Sequence, residues 1–307
     1  MYYFIINPNS RSGKGGLIWK DLETVLQERH IEYKTFFTEY KGHAALLSAS
    51  ITSDIPPGNS LKLVAVGGDG TIQEVLTGIS DLSRVIFGYI PTGSGNDFCR
   101  SMKLPQDPKE ALELVLSDRR PHPMDVPHIS CGSNSSRFAI SCGIGFDAGV
   151  CHEVSVTPMK KLLNKIGLGK LVYLFVALKQ LLFLKPSPMT LIMDGDKKAE
   201  FSKVYFAAVM NQKYEGGGFK FCPAASPSDG YLDIIVVDSL SKPKVLFCLP
   251  TAFFGKHTHF HGIHIFRCKE VTIHSDVTLP VHKDGESAGL MNDFSVSMES
   301  QQINIIS

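Results

Sequence analysis

Two polar, glycine-rich segments in the first hundred residues each follow a run of apolar residues. Gly67-Gly68-Asp69-Gly70-Thr71 comes after the apolar run 61–66, and Pro91-Thr92-Gly93-Ser94-Gly95-Asn96-Asp97-Phe98 comes after the run 85–90. Glycines after a buried strand let the backbone come close to a polyphosphate, and the N-terminus of a following helix presents free N–H groups to it. Both segments indicate phosphate binding, although a tight turn with Asp69 as a helix cap would explain the first equally well.

Asp69 and Asp97 add negative charge to these two segments. The carboxyl ends of adjacent strands in an open parallel sheet form the edge at which such folds bind their ligands. Two carboxylates next to phosphates suit Mg²⁺, which takes one or two protein carboxylates and fills its remaining positions with water and phosphate oxygens. The sequence thus predicts a site for a nucleotide together with Mg²⁺.

Two other nucleotide-binding motifs fit the sequence poorly. The only Gly-Lys pair, Gly13-Lys14, lacks the upstream glycine and the following Ser or Thr of a Walker A motif, which disfavours a P-loop NTPase. The segment from Gly143 to Ala148 matches the loose G-x-G-x-x-A fingerprint, but it lies outside any βαβ unit. A Rossmann oxidoreductase is therefore disfavoured as well.

The first 122 residues alternate apolar strands with amphipathic helices. Strands are predicted at 2–6, 32–38, 61–66 and 85–90, and helices at 16–29, 42–51, 71–79 and 108–116. Strands that are apolar throughout are typical of a parallel sheet covered on both faces. We therefore predict a parallel α/β nucleotide-binding domain for residues 1–122.

Beyond Pro121-His122-Pro123 the pattern changes to strands joined by turns. One hairpin is predicted between 124–130 and 137–142, another between 189–193 and 201–210, and helices are predicted at 159–185 and 242–255. We predict an antiparallel β-rich domain for residues 123–295, and we expect residues 296–307 to return to the first domain.

The overall composition indicates in which compartment the protein works and which classes of partner it does not attract. The 307 residues are 43% hydrophobic and 20% charged, and the formal net charge of +1 gives no global field that would attract nucleic acid. Seven cysteines without a C-x-x-C pair favour a reducing cytosol over a disulfide framework. No apolar run approaches the roughly 20 residues of a membrane span, and the first residues do not have the pattern of a signal peptide. We expect a cytoplasmic protein.

Several motifs occur together in a fixed order. They are Asn7-Pro8-Asn9-Ser10, Gly67-Gly68-Asp69-Gly70-Thr71, Pro91 to Asp97, Ala224-Ala225-Ser226-Pro227-Ser228-Asp229-Gly230-Tyr231-Leu232-Asp233, and Asp284-Gly285-Glu286. Together they resemble the diacylglycerol kinase catalytic domain family, which also contains the sphingosine and ceramide kinases. The resemblance implies a phosphofructokinase-like nucleotide domain followed by a β-rich lipid domain. It also implies transfer of the γ-phosphate of ATP to a lipid hydroxyl, with diacylglycerol as the first candidate and phosphatidic acid as the product.

The resemblance assigns roles to individual residues. Asp284 would accept the proton of the attacking hydroxyl, with Asp69 as the rival base, and Asp69, Asp97 and Glu286 would hold the catalytic Mg²⁺. The ATP site would be lined by Asn7, Pro8, Asn9, Ser10, Arg11, Thr38, Gly67, Gly68, Asp69, Gly70, Thr71, Ile72, Gln73, Ser94 and Asn96, with Glu286 on the metal side. Arg11 departs from the family pattern because glycine is usual at its position.

Further residues match family sites in the second half of the chain. Asp147 would contact the lipid head group, although it would serve equally as a helix cap. Ser226, Asp229 and Tyr231 would hold a structural Mg²⁺ or Ca²⁺, for which a plain type I turn is the alternative. Without the family, Asp284-Gly285 would be interpreted as a hairpin turn.

Two groups of basic residues have more than one possible role. Residues 154–193 contain no acidic side chain, and the lysines among them (160, 161, 165, 170, 179 and 185) suit either an interfacial helix on anionic lipid or a core helix with snorkelling lysines. His257, His259 and His261 alternate, so on a strand they would share one face at ligand-like separation. A zinc site there would lack a nearby Cys or acidic partner.

The leading function is a lipid kinase that uses ATP and Mg²⁺ and docks peripherally on the membrane. A kinase of the same fold on a soluble substrate such as NAD is one alternative, but it would be expected to lack the Ser-Asp-Gly-Tyr-Leu-Asp segment and the late Asp-Gly-Glu. A regulator with a decayed catalytic centre is another, and Asp69, Asp97, Asp284 and Glu286 argue against it. The oligomeric state, a homodimer included, is left open.

Overall fold

The computed structural model describes residues 1–56, 58–93, 95–132, 134–156, 179–180, 183 and 185–307. The described chain divides into two compact units. The first contains Met1–Val126, Arg137–Ala139 and Glu299–Ser307, and the second contains Pro127–Ser136 and Ile140–Met298. Most of the helix predicted at 159–185 lies outside the described residues.

The first unit is built from alternating strands and helices. Its strands are β1 (Tyr2–Ile6), β2 (Tyr33–Phe37), β3 (Leu61–Gly67), β4 (Val85–Pro91), β5 (His122–Met124) and β15 (Ile303–Ile305). Its helices are α1 (Ser10–Gly13), α2 (Gly15–Glu28), α3 (His43–Ser53), α4 (Asp69–Gly78), α5 (Asp97–Met102) and α6 (Pro108–Leu116), with a 3₁₀ turn at Leu82–Arg84. The predicted strands and helices are all present, and β5, β15, α1 and α5 are additional.

These strands form one six-stranded sheet in the order β2-β1-β3-β4-β15-β5. All neighbours pair in parallel except β5, which runs antiparallel to β15. Helix α2 buries Trp19, Leu22 and Leu26 against this sheet, and the Trp19 ring lies 5.0 Å from that of Phe4. Helix α6 begins where Asp107 accepts hydrogen bonds from the amides of Lys109 and Glu110, as expected of an N-cap aspartate before Pro108.

The second unit is a mainly antiparallel β structure. Its strands are β6 (Pro127–Cys131), β7 (Asn134–Arg137), β8 (Ser141–Gly145), β9 (Ser187–Met193), β10 (Lys197–Met210), β11 (Leu232–Asp238), β12 (Ile263–Cys268), β13 (Glu270–Lys283) and β14 (Glu286–Met298). They form the order β12-β11-β10-β8-β13-β14-β6-β7, with β9 paired to β10 and β13. Helices α7 (Phe146–Val156) and α8 (Lys242–Ala252) interrupt the strands. This arrangement confirms the predicted fold class.

The predicted β9–β10 hairpin is confirmed. The first predicted hairpin is confirmed in part, because β6 and β7 are neighbours in the sheet but its second strand does not span the predicted 137–142. Strands β9 and β10 pair as predicted, with Met193 opposite Lys197. The strand predicted at 137–142 is instead split, because β7 ends at Arg137 and β8 begins at Ser141. The amides of Asn211 and Gln212 bond to the carbonyl of Ile140, and β8 then continues between β10 and β13. Among the described helices, none is long and apolar enough to cross a bilayer.

Candidate active site

The two glycine-rich segments are in direct contact in the first unit. Strands β3 and β4 are neighbours, and the amides of Thr92 and Gly93 donate to the carbonyl of Gly67 at 2.7 and 3.0 Å. A Cβ atom on Gly93 would lie 2.7 Å from the Cα of Gly68, which is closer than real Cβ atoms approach. Glycine is therefore needed at this crossing, and the two loops lie side by side at the carboxyl end of the parallel sheet.

Asp69 connects the two loops through its carboxylate. Its Oδ2 accepts from the amide of Asp97 at 3.2 Å, and its Oδ1 accepts from the amide of Phe98 at 3.4 Å. Helix α5 begins at Asp97, so Asp69 supplies acceptors for amides that the helix itself leaves unpaired. Asp97 is buried and forms an ion pair with Arg100 one turn along α5. Two of the three predicted metal-side carboxylates, Asp69 and Asp97, thus lie next to each other in the first unit.

The charge of Asp69 acts on two buried neighbours. Burial raises the pKa of Tyr89 well above its ordinary value, and the Asp69 carboxylate raises it further. Burial also raises the pKa of Cys99 to about 12, with Asp69 again adding to the effect. The Tyr89 hydroxyl donates to the carbonyl of Gly67 at 3.1 Å. Both groups therefore stay neutral at physiological pH, and the Tyr89 hydroxyl remains a donor that supports the first glycine loop.

The loop after β1 joins the same edge of the sheet. Asn7 donates from Nδ2 to the Thr71 hydroxyl at 3.2 Å, and the hydroxyls of Ser10 and Thr92 lie 2.7 Å apart. Arg11, the departure from the family pattern, has φ +50°, in the left-handed region that glycine adopts most easily. The exposed Arg11 therefore retains the backbone conformation that the usual glycine would allow.

The other residues predicted to bind the nucleotide also belong to the first unit. Thr38 is buried directly after β2, and its amide donates to the carbonyl of Ile6. Asn96 has φ +53°, and its Oδ1 is buried without a hydrogen-bond partner within the described part of the chain. Buried polar atoms normally have a hydrogen-bond partner. This oxygen and the neighbouring carboxylates are therefore suited to binding a hydrated Mg²⁺ or to accepting a hydrogen bond from a ligand. Ser94 lies outside the described residues.

Asp284 forms a tight turn in the second unit. Asp284 and Gly285 join β13 to β14 with φ values of +46° and +77°, as in a two-residue type I′ hairpin. The Asp284 carboxylate is buried, and its Oδ1 accepts from the amides of Ile140 and Ser141 at 2.7 and 3.0 Å. Glu286 begins β14 opposite Lys283. The hairpin interpretation is thus correct, and the turn also fixes the orientation of the Asp284 side chain.

A buried charged cluster lies two residues before Asp284. The Nε2 atom of His282 is 3.0 Å from Asp147 Oδ2 and 3.0 Å from Glu215 Oε1. Burial by itself lowers the pKa of His282, but the carboxylates of Glu215, Asp147 and Asp284 outweigh it and raise the pKa to about 9. Asp147 was a substrate-side candidate in the sequence, and its Oδ1 also accepts from the amide of Ala148. Sequence reasoning missed Glu215 and His282, since neither belongs to a recognised motif.

The predicted structural cation site contains an ion pair. Asp229 Oδ2 lies 2.5 Å from the Arg267 guanidinium, its Oδ1 accepts from the amide of Tyr231, and the guanidinium stacks over the Tyr231 ring. Asp233, at the end of the same motif, is buried, and its Oδ2 has no partner among the residues that the structure describes. Burial raises the pKa of Asp233 to about 6. A cation at Ser226, Asp229 and Tyr231 would have to compete with Arg267, and the site stays a prediction.

A chelator experiment tests this cation site. Without nucleotide, we expect chelator to lower the melting temperature of the wild type, because a cation that binds only the folded chain stabilises it by mass action. Asp229→Ala should melt at a lower temperature and respond much less to chelator. Equal chelator responses in both proteins, measured by scanning calorimetry, would show that Arg267 alone holds this turn.

His257, His259 and His261, which would share one face on a strand, do not lie on a strand. Residues His257–His259 form a 3₁₀ turn, closed by the amide of Phe260 donating to the carbonyl of His257. The His257 side chain is buried against the carbonyl of Phe221, whereas His259 and His261 are exposed. Burial lowers the pKa of His257. The three side chains therefore do not share one face.

The two halves of the chain match known families. Residues 1–129 match the diacylglycerol kinase catalytic domain, and residues 141–307 match the YegS C-terminal NAD kinase beta sandwich-like domain. The chain is 32% identical over 293 residues to "Putative lipid kinase YtlR" of Bacillus subtilis (strain 168), with 94% of each chain covered. It is 26% identical over 286 residues to a diacylglycerol kinase of Staphylococcus saprophyticus, covering 93% of this chain and 88% of the relative.

Solved structures share the fold. A "putative diacylglycerol kinase" from Bacillus anthracis str. Sterne has a TM-score of 0.77 at 24% identity, covering 99% of this chain and 94% of that chain. An NAD kinase from Archaeoglobus fulgidus in complex with ATP has a TM-score of 0.54 at 12% identity, covering 100% and 94%.

The chain thus combines a parallel α/β unit, which has adjoining glycine loops, with an antiparallel β unit of the NAD kinase beta sandwich-like type. The matches over both halves identify the family: the chain belongs to the diacylglycerol kinase catalytic domain family, as its motifs indicated. It is a lipid kinase, and membership of this family implies the use of ATP.

Proposed function

We propose that this protein transfers the γ-phosphate of ATP to the free hydroxyl of diacylglycerol in a membrane and so forms phosphatidic acid. The observation that carries the proposal is the family match of both halves, with the Asp69 loop in one and the Asp284 turn in the other. The relative from Staphylococcus saprophyticus is named a diacylglycerol kinase, and a similar protein of Mycobacterium tuberculosis, 30% identical over 229 residues, has the same name.

The first unit is proposed to bind ATP at its three joined loops. The amides and hydroxyls of the Asn7–Ser10 and Gly67–Thr71 segments would hold the phosphates, with α4 directing its N-terminus toward them. Asp69, Asp97 and Glu286 are the proposed metal-side carboxylates. When bound, Mg²⁺ would neutralise charge on the phosphate oxygens, which is the main requirement of phosphoryl transfer.

Asp284 is proposed as the general base. Two backbone amides hold its Oδ1, so the carboxylate has one orientation and its proton-accepting oxygen has a fixed position. Phosphoryl transfer to an alcohol needs such a group to take the hydroxyl proton as the bond to phosphorus forms. Asp69 is the rival base, and its two oxygens accept from the amides of Asp97 and Phe98.

The acceptor is identified by a labelling experiment. The protein is incubated with γ-³²P-ATP, Mg²⁺ and, in separate reactions, diacylglycerol, phosphatidylglycerol, a polyprenol, a sphingoid base and NAD, and products are separated by thin-layer chromatography. We expect label in phosphatidic acid, and roughly 100-fold less or lower in an Asp284→Asn control. Label in NAD phosphate, or in another lipid to the exclusion of phosphatidic acid, would overturn diacylglycerol as the acceptor.

Contact with the membrane is proposed at helix α8 and the turn after it. Phe247 and Phe254 are 68% and 74% exposed, and Leu246 and Phe253 are exposed beside them. Lys244 and Lys256 are also exposed on this segment. Exposed aromatic side chains with flanking lysines are typical of a surface that enters an anionic lipid interface. The lysines first predicted for this role lie outside the described residues, apart from Lys185 and Lys179, which pairs with Glu153.

Vesicle sedimentation tests this membrane surface. Phe247→Ser with Phe254→Ser should lower partitioning onto anionic vesicles by roughly 10-fold or more, because burying each phenylalanine stabilises the bound state by about 1.5–3 kcal/mol. Leu290→Ser is the matched control, since Leu290 on β14 is 67% exposed but lies outside α8. Unchanged partitioning of the double phenylalanine variant would exclude α8 as the docking surface.

A further inference from the structure

The cluster of Asp147, Glu215 and His282 brings three ligand-type atoms to one point. The histidine Nε2 lies 3.0 Å from an oxygen of each carboxylate, and the three atoms lie within 4.8 Å of one another. His282 is fully buried, and the side chains of Asp147 and Glu215 are only 10% and 8% exposed. Of the residues that the structure describes, this is the one group of three His, Cys, Asp or Glu side chains with such spacing.

One hydrogen on His282 Nε2 does not explain why oxygens of both Asp147 and Glu215 lie so close to that nitrogen. Nε2 carries a single hydrogen, which points in one direction, whereas two carboxylate oxygens lie at the same distance from the nitrogen. A metal ion about 2.0–2.2 Å from each of the three atoms would bond to all of them. The groups that act on His282 include a third carboxylate, Asp284, so a divalent charge here would be balanced by its surroundings.

A glycine keeps the space around the cluster open. Gly143 lies on β8, next to β13, directly opposite His282. A Cβ atom at this position would lie 2.5 Å from Asp147 Oδ2 and 2.7 Å from His282 Nε2, which are the atoms that converge. Any larger residue would therefore fill the point at which a metal would bind.

The ligand set selects among metals. Mg²⁺ and Ca²⁺ take oxygen ligands, whereas an imidazole nitrogen with two carboxylates suits Zn²⁺ or Mn²⁺. We propose that Asp147, Glu215 and His282 form a binding site for a divalent transition metal of the Zn²⁺ or Mn²⁺ class, separate from the Mg²⁺ that accompanies ATP. The site does not depend on the identity of the lipid substrate.

Such a metal would tie three parts of the second unit together. His282 lies on β13 two residues before Asp284, and Asp147 lies in the first turn of α7. Glu215 closes the turn of Gly216, Gly217 and Gly218, because its amide and carbonyl bond to the carbonyl and amide of Phe219 at 3.0 Å each. A glycine run has little conformational preference of its own. The metal would therefore fix the base of the glycine turn against the strand that leads into the Asp284 turn.

Metal content of the untagged full chain tests the site. The protein is stripped with chelator, dialysed without nucleotide against Zn²⁺ or Mn²⁺ in excess Mg²⁺, and analysed by mass spectrometry of bound metal and by titration calorimetry. We expect about one tightly bound Zn²⁺ or Mn²⁺ per chain, and an affinity more than roughly 100-fold weaker in His282→Asn and Glu215→Gln, since losing even an outer-shell partner of a metal ligand costs 10- to 100-fold. His261→Asn, which removes an exposed histidine, should bind as the wild type does.

Two results would overturn the proposal. The first is a wild-type chain that retains neither metal, which needs no variant to interpret. The second is binding that persists unchanged in His282→Asn or Glu215→Gln, which would place the metal elsewhere. Substitution with Co²⁺ gives an independent reading, because a thiolate charge-transfer band would assign the metal to cysteine, whereas nitrogen and oxygen ligands give only d–d bands. Circular dichroism identifies any variant that has lost its fold, and the cobalt spectrum of the wild type then decides.

Discussion

Replacing Asp284 by asparagine should lower kcat by roughly 10²- to 10⁴-fold, the range typical of a lost general base, while ATP binding changes little. The structure indicates that this substitution changes the proton acceptor without changing the turn. Asparagine keeps an Oδ1 that can accept from the amides of Ile140 and Ser141, and it tolerates the positive φ of the turn. The variant thus removes the proton acceptor and leaves the hairpin. Steady-state kinetics with ATP and diacylglycerol vesicles measure the effect.

A second Asp-Gly turn provides the matched control. Asp194 and Gly195, between β9 and β10, have φ values of +51° and +81°, and Asp194 Oδ1 accepts from the amides of Lys269 and Glu270. Asp194→Asn therefore makes the same chemical change in a similar turn, and it should leave kcat near that of the wild type. If Asp284→Asn also keeps kcat within a few-fold of wild type, Asp284 is not the base, and Asp69 becomes the leading candidate.

Local patterns were enough to predict the first unit. Strands β3 and β4 are almost entirely buried, so their sequences are nearly uninterrupted apolar runs. Gly68 and Gly93, which follow these two runs, lie where the backbone of the two loops must cross. The N-cap at Asp107 and the stripe of α2 have equally local signals. Helix α5 was missed because it is short and depends on a distant acceptor. Its first amides bond to Asp69, 28 residues away in sequence.

The second unit depends more on contacts that the sequence does not display. His282 lies in an ordinary alternating strand, and Glu215 precedes a glycine turn, so only the antiparallel sheet brings them to Asp147. The break at Phe138–Ile140 was missed for the same reason. The side chain of Arg137, the last residue of β7, donates to the carbonyls of Leu76 and Ile79, about 60 residues away in sequence. Non-local pairing decided each of these cases.

Asp69 is expected to show the largest loss of activity of any single residue in the first unit. Asp69→Ala should abolish detectable turnover, because it removes a charge from the proposed metal site and also an acceptor for the amides of Asp97 and Phe98. The loss of this acceptor makes it harder to assign the loss of turnover to the missing charge. Losing a helix-capping side chain costs about 0.5–2 kcal/mol, so the loop with Asp97 could move in this variant.

Asp69→Asn removes the charge and keeps one of the two acceptors. The amide oxygen of asparagine can accept from one of the two amides, whereas its Nδ2 cannot accept from the other, so this variant should melt only slightly below the wild type and still lose turnover. Asp107→Asn, at the cap of α6, is the control for an Asp-to-Asn change at a helix N-terminus and should remain active. Kinase assays at saturating Mg²⁺ and thermal melts of all three variants distinguish the contributions. Turnover close to wild type in Asp69→Asn would show that this carboxylate acts as a cap and that its charge has no part in phosphoryl transfer.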